Sequence, residues 1–367
     1  MIKVGVVGCG DIANRSYLPA LAGELRDTAR LTAVCDIIES RARAAREKFD
    51  ARKSYRWFRE MLKDGDFDLL VVLTPLLTHQ DFAGPAIAAG KHVFTEKPLA
   101  RTAREALKLV HAARKRHVQL AAAPYPPATP LLRKARQLVA SGAIGKVTLA
   151  RAHSSHGGAE QGWWSNDPSW TFRRKLSGPV PPLFDMGIYG LSALAAVIGP
   201  VKRVAAFSGL GVPYRRIAMV REKGFKPYTL KVDSHDNSYS LLDFGDGKLA
   251  ALDASYCLRV GDAPPYQFYG TEGAMTIDVY GSLLRVHSRQ GKAGLPKGKW
   301  KDIKVPPRGS STFLQGLRHA LDCLRMGRKP VNGGEFSAHL VEVLEGAIRS
   351  ARTGRAVPLK TSFRWPE

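Results

Sequence analysis

The first 123 residues alternate short apolar runs with helical patterns, and this alternation constrains the fold more than any other feature of the sequence. It predicts a parallel sheet whose strands are joined by right-handed helical crossovers, that is, a doubly wound α/β domain. One helix start is well marked, because Thr102 and Glu105 match a capping box. The runs that we expect to form strands are Ile2–Val7, Leu31–Cys35, Leu69–Leu73, His92–Phe94 and Val118–Ala122.

A glycine-rich turn follows the first of these strands and reads Gly8-Cys9-Gly10-Asp11-Ile12-Ala13. Gly8 allows a tight turn, Gly10 lets the backbone approach a pyrophosphate, and the small Ala13 lets the next helix pack on the strand. The turn therefore predicts a dinucleotide site, to which we assign Gly8, Gly10, Asp11 and Ile12. The alternative is a domain of the same fold that holds no dinucleotide.

The second predicted strand leads into Asp36, a position at which a carboxylate can accept hydrogen bonds from the adenosine ribose. The same carboxylate repels a 2′-phosphate, so the sequence favours NAD over NADP. Arg41 and Arg43 weaken this preference, because a nearby arginine can pair with a 2′-phosphate. We expect NAD as the cofactor, with Asp36 and Arg41 in its site and with NADP as the alternative.

The segment Lys91–Leu99 carries the candidate proton-transfer group. It predicts a buried strand that ends at Thr95-Glu96-Lys97-Pro98, and ligands of open α/β sheets bind at that end of the strands. A lysine amine that is partly removed from water gives up its proton more readily, which suits Lys97 to proton transfer. Pro98 restricts the backbone of Lys97 and so directs its side chain. The alternative is an exposed ion pair between Glu96 and Lys97.

The chain of 367 residues is long enough for two domains, and its 56 Lys and Arg against 32 Asp and Glu give a net charge of +24. Such a charge would attract nucleic acid if it were gathered on one face. The basic residues are instead scattered along the sequence, without a helix-turn-helix, zinc-finger or RNA-recognition signature. We therefore expect a solvated basic surface and no nucleic-acid partner.

Four cysteines occur singly, with no spacing typical of zinc ligands or of a disulfide framework. No apolar run approaches the roughly 20 residues that span a bilayer. Met1-Ile2-Lys3 passes directly into the first strand and leaves no room for a signal peptide. We expect a cytoplasmic protein that binds neither a metal nor a membrane.

Further motifs extend the pattern along the whole chain: Thr74-Pro75 with His79, Glu96-Lys97-Pro98, Phe268–Gly273 and Ser350–Arg355. Together with the glycine turn they resemble the glucose-fructose oxidoreductase, inositol dehydrogenase and rhizopine catabolism protein family, Gfo/Idh/MocA. The resemblance implies a Rossmann domain at residues 1–123. At residues 124–367 it implies an α/β domain with a large, mostly antiparallel sheet, whose open face often forms a homodimer or homotetramer. It also implies that the cofactor site includes Thr74, Pro75, His79, Glu96 and Lys97.

The run Leu183–Tyr189 forms a second candidate constellation. If Pro182 opens a helix, Asp185 and Tyr189 share a face, and the helix dipole stabilises the carboxylate in the first turn. The run resembles the family motif Asp-x-Gly-x-x-His, whose Asp and His meet the substrate hydroxyls beside the lysine. Tyrosine replaces histidine here, as in the branch that resembles glucose-fructose oxidoreductase and dihydrodiol dehydrogenase. The alternative for Tyr189 is a core aromatic residue whose hydroxyl is satisfied.

The segment Gly178-Pro179-Val180-Pro181-Pro182 departs from the family, which usually has three glycines there. Glycines would let this loop approach a sugar closely, whereas prolines stiffen it. The identity of the substrate and the catalytic competence of the chain therefore both depend on this departure. Just upstream, tryptophans and cations predict a platform for a sugar face or an aromatic ring, with Trp163, Trp164, Trp170 and Arg173. The alternative is burial in a contact between domains or subunits.

These observations predict an NAD(P)-dependent oxidoreductase that moves a hydride between nicotinamide and a secondary alcohol of a sugar, polyol or related cyclic alcohol. Lys97 would take or return the hydroxyl proton, with Tyr189 assisting and Asp185 orienting the substrate. One alternative is a redox-neutral elimination or glycoside cleavage with tightly held NAD. Another is a regulator that binds the dinucleotide without turnover, although binding alone does not need these three residues.

Overall fold

The computed structural model describes residues 1–158, 160, 168–218, 225–258, 265–309 and 311–366. The chain forms two compact units. The first consists of Met1–Ala128, Arg308–Val341 and Phe363–Glu367, and the second consists of Thr129–Pro307 and Glu342–Ser362. Each unit therefore combines separate stretches of the sequence.

The first unit is built on six strands: β1 (Ile2–Val7), β2 (Ala29–Cys35), β3 (Lys53–Tyr55), β4 (Leu69–Val72), β5 (His92–Thr95) and β6 (Leu120–Ala122). Their order in the sheet is β3-β2-β1-β4-β5-β6, and all neighbours are parallel. This is the strand order of a doubly wound dinucleotide-binding domain, so the predicted fold of this region is confirmed. The short β3 is the strand that the sequence did not predict.

Both faces of this sheet are buried, since alternate residues of β4 enter separate apolar clusters. Leu69 and Val71 pack in one cluster, whereas Leu70 and Val72 pack in the other. A strand that is covered on both faces reads as a continuous apolar run, which is why these strands are visible in the sequence.

The helices that follow the strands are α1 (Leu18–Ala22), α2 (Glu39–Phe49), α3 (Phe58–Asp64), α4 (His79–Ala88) and α5 (Ala103–Lys115). A wide π-helical turn, Ala13–Tyr17, leads into α1. The predicted capping box opens α5, where the Thr102 hydroxyl accepts from the Glu105 amide and the Glu105 carboxylate accepts from the Thr102 amide, both at 3.2 Å. Short 3-10 turns cover Leu76–Thr78 and Pro126–Ala128.

The first unit also contains a late part of the chain. Here α9 (Gln315–Arg325) places Leu317 and Leu321 in the same apolar cluster as Val4 and Phe94. The Asn332 side chain donates to the carbonyl of Ala122 at 2.9 Å. The predicted domain of residues 1–123 therefore covers only the N-terminal part of the first unit. The later segment joins this unit through contacts between residues that are far apart in sequence, which a local sequence pattern does not reveal.

The second unit contains strands β7 (Val147–His153), β8 (Arg203–Gly209), β9 (Tyr214–Ile217), β10 (Tyr228–Lys231), β11 (Asn237–Gly245), β12 (Lys248–Ser255), β13 (Tyr266–Gly270), β14 (Gly273–Asp278), β15 (Leu283–Ser288), β16 (Trp300–Lys304) and β17 (Val357–Pro358). Nine of them form one sheet in the order β16-β15-β14-β13-β7-β12-β11-β8-β17. Only the β12–β7 pair is parallel within this described sheet, so the large, mostly antiparallel sheet is confirmed. Strands β9 and β10 pair separately.

Helices of this unit are α6 (Pro130–Ala140), α7 (Arg174–Ser177), α8 (Ile188–Ile198) and the latter part of α10 (Gly334–Thr353), with 3-10 turns at Pro168–Phe172 and Lys292–Gly294. A second wide π-helical turn, Leu183–Gly187, precedes α8. Helix α8 contains mostly apolar and small residues, nearly all of them buried. Such a helix needs contacts on every side, and it packs on β7, β12 and α6.

One face of the nine-stranded sheet exposes large apolar side chains. Along β11 the odd-numbered residues Tyr239 and Leu241 are exposed, whereas Leu242 is buried. We call the following set the exposed apolar face: Leu149, Phe207, Tyr239, Leu241, Leu249 and Tyr269. Several of its members are directly paired across neighbouring strands, so the face is continuous rather than scattered.

Candidate functional site

The glycine turn after β1 has the geometry that its sequence predicts. Gly8 has φ +92°, and a Cβ atom there would lie 2.7 Å from the main-chain carbonyl of Leu73, so only glycine fits. Its amide donates to the carbonyl of Cys35 at 2.8 Å. A Cβ on Gly10 would meet no described protein atom within 4 Å, which leaves that side of the turn open to a ligand.

The turn is also held by a residue that sequence reasoning missed. The amide group of Asn14 donates to the carbonyls of Cys9 at 2.8 Å and Gly10 at 3.0 Å. Asp11 is exposed, whereas Ile12 is half-buried and packs against the apolar cluster of the sheet. Ile12 therefore helps to seat the turn on the sheet, and the open edge is formed by Gly10 and Asp11.

Asp36 is buried at the end of β2 and joins two main-chain segments. Its Oδ2 accepts from the amide of Cys9 and its Oδ1 accepts from the amide of Ile38, both at 2.8 Å. A carboxylate has about four acceptor positions, so these two bonds leave capacity for ribose hydroxyls. Arg41 lies exposed on α2. The donors of the turn and this carboxylate fit a dinucleotide: the turn would hold the pyrophosphate, and Asp36 would hold the ribose.

We expect Asp36→Ala to weaken NAD binding by about tenfold or more, because it removes an acceptor and leaves the buried amide of Cys9 without its partner. The preference for NAD over NADP should shrink as well. Calorimetric titration with both dinucleotides measures the two effects, and Asp27→Ala, at an exposed position, is the control. Unchanged affinities in Asp36→Ala would remove this carboxylate from the cofactor site.

The Thr74–His79 segment is tied to the turn that carries Lys97. His79 is buried, with Nδ1 2.6 Å from the carbonyl of Pro98 and Nε2 3.0 Å from the carbonyl of Thr74. Burial lowers the pKa of His79, so the ring is neutral at pH 7 and donates to one of the two carbonyls. Pro75 is exposed. The assignment of His79 to the cofactor site stays a prediction, and its two observed contacts connect protein segments.

Glu96 and Lys97 lie half-buried just beyond β5. The hydroxyl of Tyr17 donates to Oε1 of Glu96 at 2.6 Å, and the Lys97 amide donates to Oε2 at 3.0 Å. The Glu96 amide donates to the carbonyl of Val72 at 2.8 Å. Together with the contact of His79 to Pro98, these bonds fix the backbone on both sides of the lysine. Tyr17 is a second residue that the sequence did not single out.

In the second unit, Asp185 lies in the wide turn before α8 and Tyr189 lies in its first turn, both half-buried. Small residues allow this helix to pack closely on the sheet. A Cβ on Gly187 would lie 3.0 Å from Ala254, and one on Gly190 would clash with the Ser154 hydroxyl. Packing therefore favours glycine at position 187, the glycine of the Asp-x-Gly motif, because any Cβ there would be in tight contact with Ala254. π-helical turns occur frequently at functional sites, and here one carries the candidate carboxylate.

The Asp185 carboxylate has a partner from the sheet, since the hydroxyl of Tyr256 donates to its Oδ2 at 3.0 Å. Tyr256 is fully buried, and burial together with the nearby Asp185 charge raises its pKa well above the ordinary value. The phenol therefore keeps its proton and remains a donor. Sequence reasoning missed Tyr256, because 71 residues separate it from Asp185.

The structure describes only part of the predicted substrate platform. Trp170 is partly exposed and Arg173 is exposed, whereas Trp163 and Trp164 lie outside the described residues. In the proline segment, the Pro179 carbonyl accepts from the His235 amide at 3.0 Å. Within the described ranges no group of three or more His, Cys, Asp and Glu could hold a metal ion. Likewise, none of the helices described has the length and apolar character needed to cross a membrane.

Two family models match the sequence. One is the oxidoreductase family with an NAD-binding Rossmann fold, which matches residues 2–123, and the other is the GFO/IDH/MocA C-terminal domain, which matches residues 132–276. Together they cover well over half of the chain.

Individual proteins are similar at lower identity. Levoglucosan dehydrogenase of Pseudarthrobacter phenanthrenivorans is 26% identical over 65% of this chain, and the match spans 62% of that protein, under two thirds of its length. Trans-1,2-dihydrobenzene-1,2-diol dehydrogenase of Mus musculus is 26% identical over 95% of this chain and 96% of its own. The crystal structure of an NAD-binding oxidoreductase from Klebsiella pneumoniae has a TM-score of 0.83 at 22% identity, covering 98% of this chain and 99% of that one, which shows a shared fold.

Proposed function

The chain belongs to the Gfo/Idh/MocA family of NAD-binding oxidoreductases, and from this premise we propose that it moves a hydride between nicotinamide and a secondary alcohol of a sugar, polyol or related cyclic alcohol. The observation that carries the proposal is the anchoring of the turn around Lys97. Glu96 on one side of the lysine accepts a hydrogen bond from Tyr17, and the carbonyl of Pro98 on the other side is contacted by the ring of His79. A lysine on a rigid turn beyond a sheet strand suits proton transfer to a bound ligand.

Three side chains divide the chemistry in this proposal. Lys97 takes the hydroxyl proton during oxidation and returns it during reduction, Tyr189 assists as a proton donor, and Asp185 accepts from a substrate hydroxyl and orients it. NAD, when bound, supplies the hydride acceptor and donor. The glycine turn and Asp36 would hold it. The names of two relatives, a levoglucosan dehydrogenase and a dihydrobenzene-diol dehydrogenase, support the substrate class.

A substrate screen tests the proposal. The purified chain is mixed with NAD or NADP and a panel of sugars, inositols, uronic acids and dihydrodiols, and NADH or NADPH formation is followed by absorbance. We expect turnover with at least one alcohol and faster turnover with NAD. Dinucleotide binding without turnover on the whole panel would favour the regulator. Product release without NADH accumulation would favour redox-neutral chemistry.

We also propose that the exposed apolar face is the contact with a second copy of the chain. Phe207 is 79% exposed and pairs directly with the half-exposed Tyr239, and such a patch is unusual on a protein that stays monomeric. Phe207→Asp should therefore shift the protein to a monomer in light scattering after gel filtration. Tyr280→Asp, at another strongly exposed aromatic residue, is the control. A wild-type monomer would contradict the proposal.

A further inference from the structure

Tyr256, the partner of Asp185, is packed between aromatic rings and hydrogen-bonded through its main chain. Tyr256 directly follows β12 and is 1% exposed. Its ring lies against His156, with ring centroids 5.0 Å apart, and meets Phe172 edge-on at 5.7 Å. Its amide donates to the carbonyl of Asp236 at 2.8 Å. The hydroxyl that reaches Asp185 is therefore fixed by both the ring packing and the main chain.

A buried ion cluster supports the same main chain. The guanidinium of Arg215 is fully buried, and its Nη1 donates to the Tyr256 carbonyl at 3.1 Å and to Glu160 at 2.7 Å. Its Nη2 donates to Asp236 at 2.6 Å. We call Arg215, Glu160 and Asp236 the buried ion cluster. The cluster binds the carbonyl of Tyr256 through the Arg215 guanidinium, and the residue that carries one of its carboxylates, Asp236, accepts from the Tyr256 amide through its main-chain carbonyl.

Burial of three ionised groups carries a large desolvation cost, and apolar residues of similar volume often stabilise a core as well or better. Ion clusters of this kind do, however, fix positions, since each hydrogen bond has a defined length and direction. In this unit the fixed position is that of Tyr256, and the group at the end of the chain of contacts is Asp185.

We propose that Tyr256 is a positioning residue for the reaction: its hydroxyl donates to Oδ2 of Asp185 and fixes the orientation in which this carboxylate meets a substrate hydroxyl. The inference rests on the proposed function, because it explains how Asp185, the carboxylate that orients the substrate, is itself held in place. The buried ion cluster holds Tyr256 in place, and Tyr256 itself does not take part in proton transfer.

A double-mutant cycle on kcat tests the proposal. Tyr256→Phe keeps the ring and removes only the hydroxyl, and we expect it to lower kcat by about tenfold to a hundredfold, the usual effect of a misaimed catalytic group. In an Asp185→Ala background the same substitution should have no further effect, since its target is absent. NAD affinity should be unchanged in both. Tyr266→Phe, which removes the hydroxyl of another buried tyrosine in the same sheet, is the control.

Additive losses in the cycle, or wild-type kcat in Tyr256→Phe, would overturn the positioning role. A wild-type protein without turnover on the whole panel would instead contradict the proposed function, and the cycle is then measured on the melting temperature. Non-additive shifts in melting temperature would support the Tyr256–Asp185 coupling, and additive shifts would overturn it. The two failures are therefore distinguishable.

Discussion

Replacement of Lys97 with alanine is expected to lower kcat by about a hundredfold to ten-thousandfold, the range that a positioned general acid or base supplies. NADH binding should stay near the wild-type value, because the turn is held by contacts to Glu96 and Pro98 rather than by the lysine. Rapid-mixing absorbance measures the rate, and fluorescence titration measures NADH affinity. A loss confined to the rate would identify the lysine as a catalytic group and not as an anchor for the dinucleotide.

Two further variants complete this experiment. Lys108→Ala, at an exposed position on α5, removes a similar charge and should leave both readouts unchanged. Lys97→Arg keeps a cation that hardly loses its proton and should be nearly as slow as Lys97→Ala. Full turnover in Lys97→Ala would exclude the amine from the mechanism, whatever the other residues do.

The buried ion cluster should produce the largest effect on stability. In Arg215→Met the carboxylates of Glu160 and Asp236 remain buried without their cation, and the free energy of unfolding should fall by about 3–5 kcal/mol. Urea unfolding at neutral pH measures the loss. Arg216→Met is a matched control, because the neighbouring arginine on β9 is exposed, and its effect should lie within about 0.5 kcal/mol. Equal effects of the two substitutions would show that the cluster contributes no stability.

The stability of Arg215→Met should also depend on pH in a defined direction. Burial acts to raise the pKa of Asp236, but hydrogen bonds from Arg215 and the Gly211 amide outweigh it and hold the pKa below its ordinary value. In the wild type this carboxylate thus contributes stability above its unfolded pKa, and the contribution is lost as the pH falls through the lower folded pKa. Without Arg215, burial dominates, so the deficit of the variant should be largest at neutral pH and should shrink toward about pH 4.

Much of the fold is predictable because its signals are local. Five of the six parallel strands, the capping box at Thr102 and the glycine turn are confirmed, and each depends on residues close together in the sequence. Membership in the Gfo/Idh/MocA family is confirmed for the same reason, since it follows from short motifs. The large sheet of the second unit, which the family resemblance and the alternating pattern of strands such as β11 predicted, is also confirmed.

The supports of the candidate site are not predictable in this way. Tyr17 reaches Glu96 across 79 residues, and Arg215 reaches Glu160 across 55. A tyrosine or arginine at such positions has no local signature, because its importance arises only when the chain folds back on itself. The same reason explains why α9 was not assigned to the first unit. The roles of Lys97, Asp185 and Tyr189 stay predictions that the variants above test.

The placement of α9 in the first unit has a consequence for biosynthesis. A ribosome makes the six parallel strands early, but the helix that supplies Leu317 and Leu321 to their core emerges only after eight of the nine strands of the other sheet have been made. N-terminal domains commonly fold as soon as they leave the ribosome. Here the core is complete only once residues 315–325 have been translated, so a nascent chain that stalls before them carries an open apolar surface that chaperones would recognise.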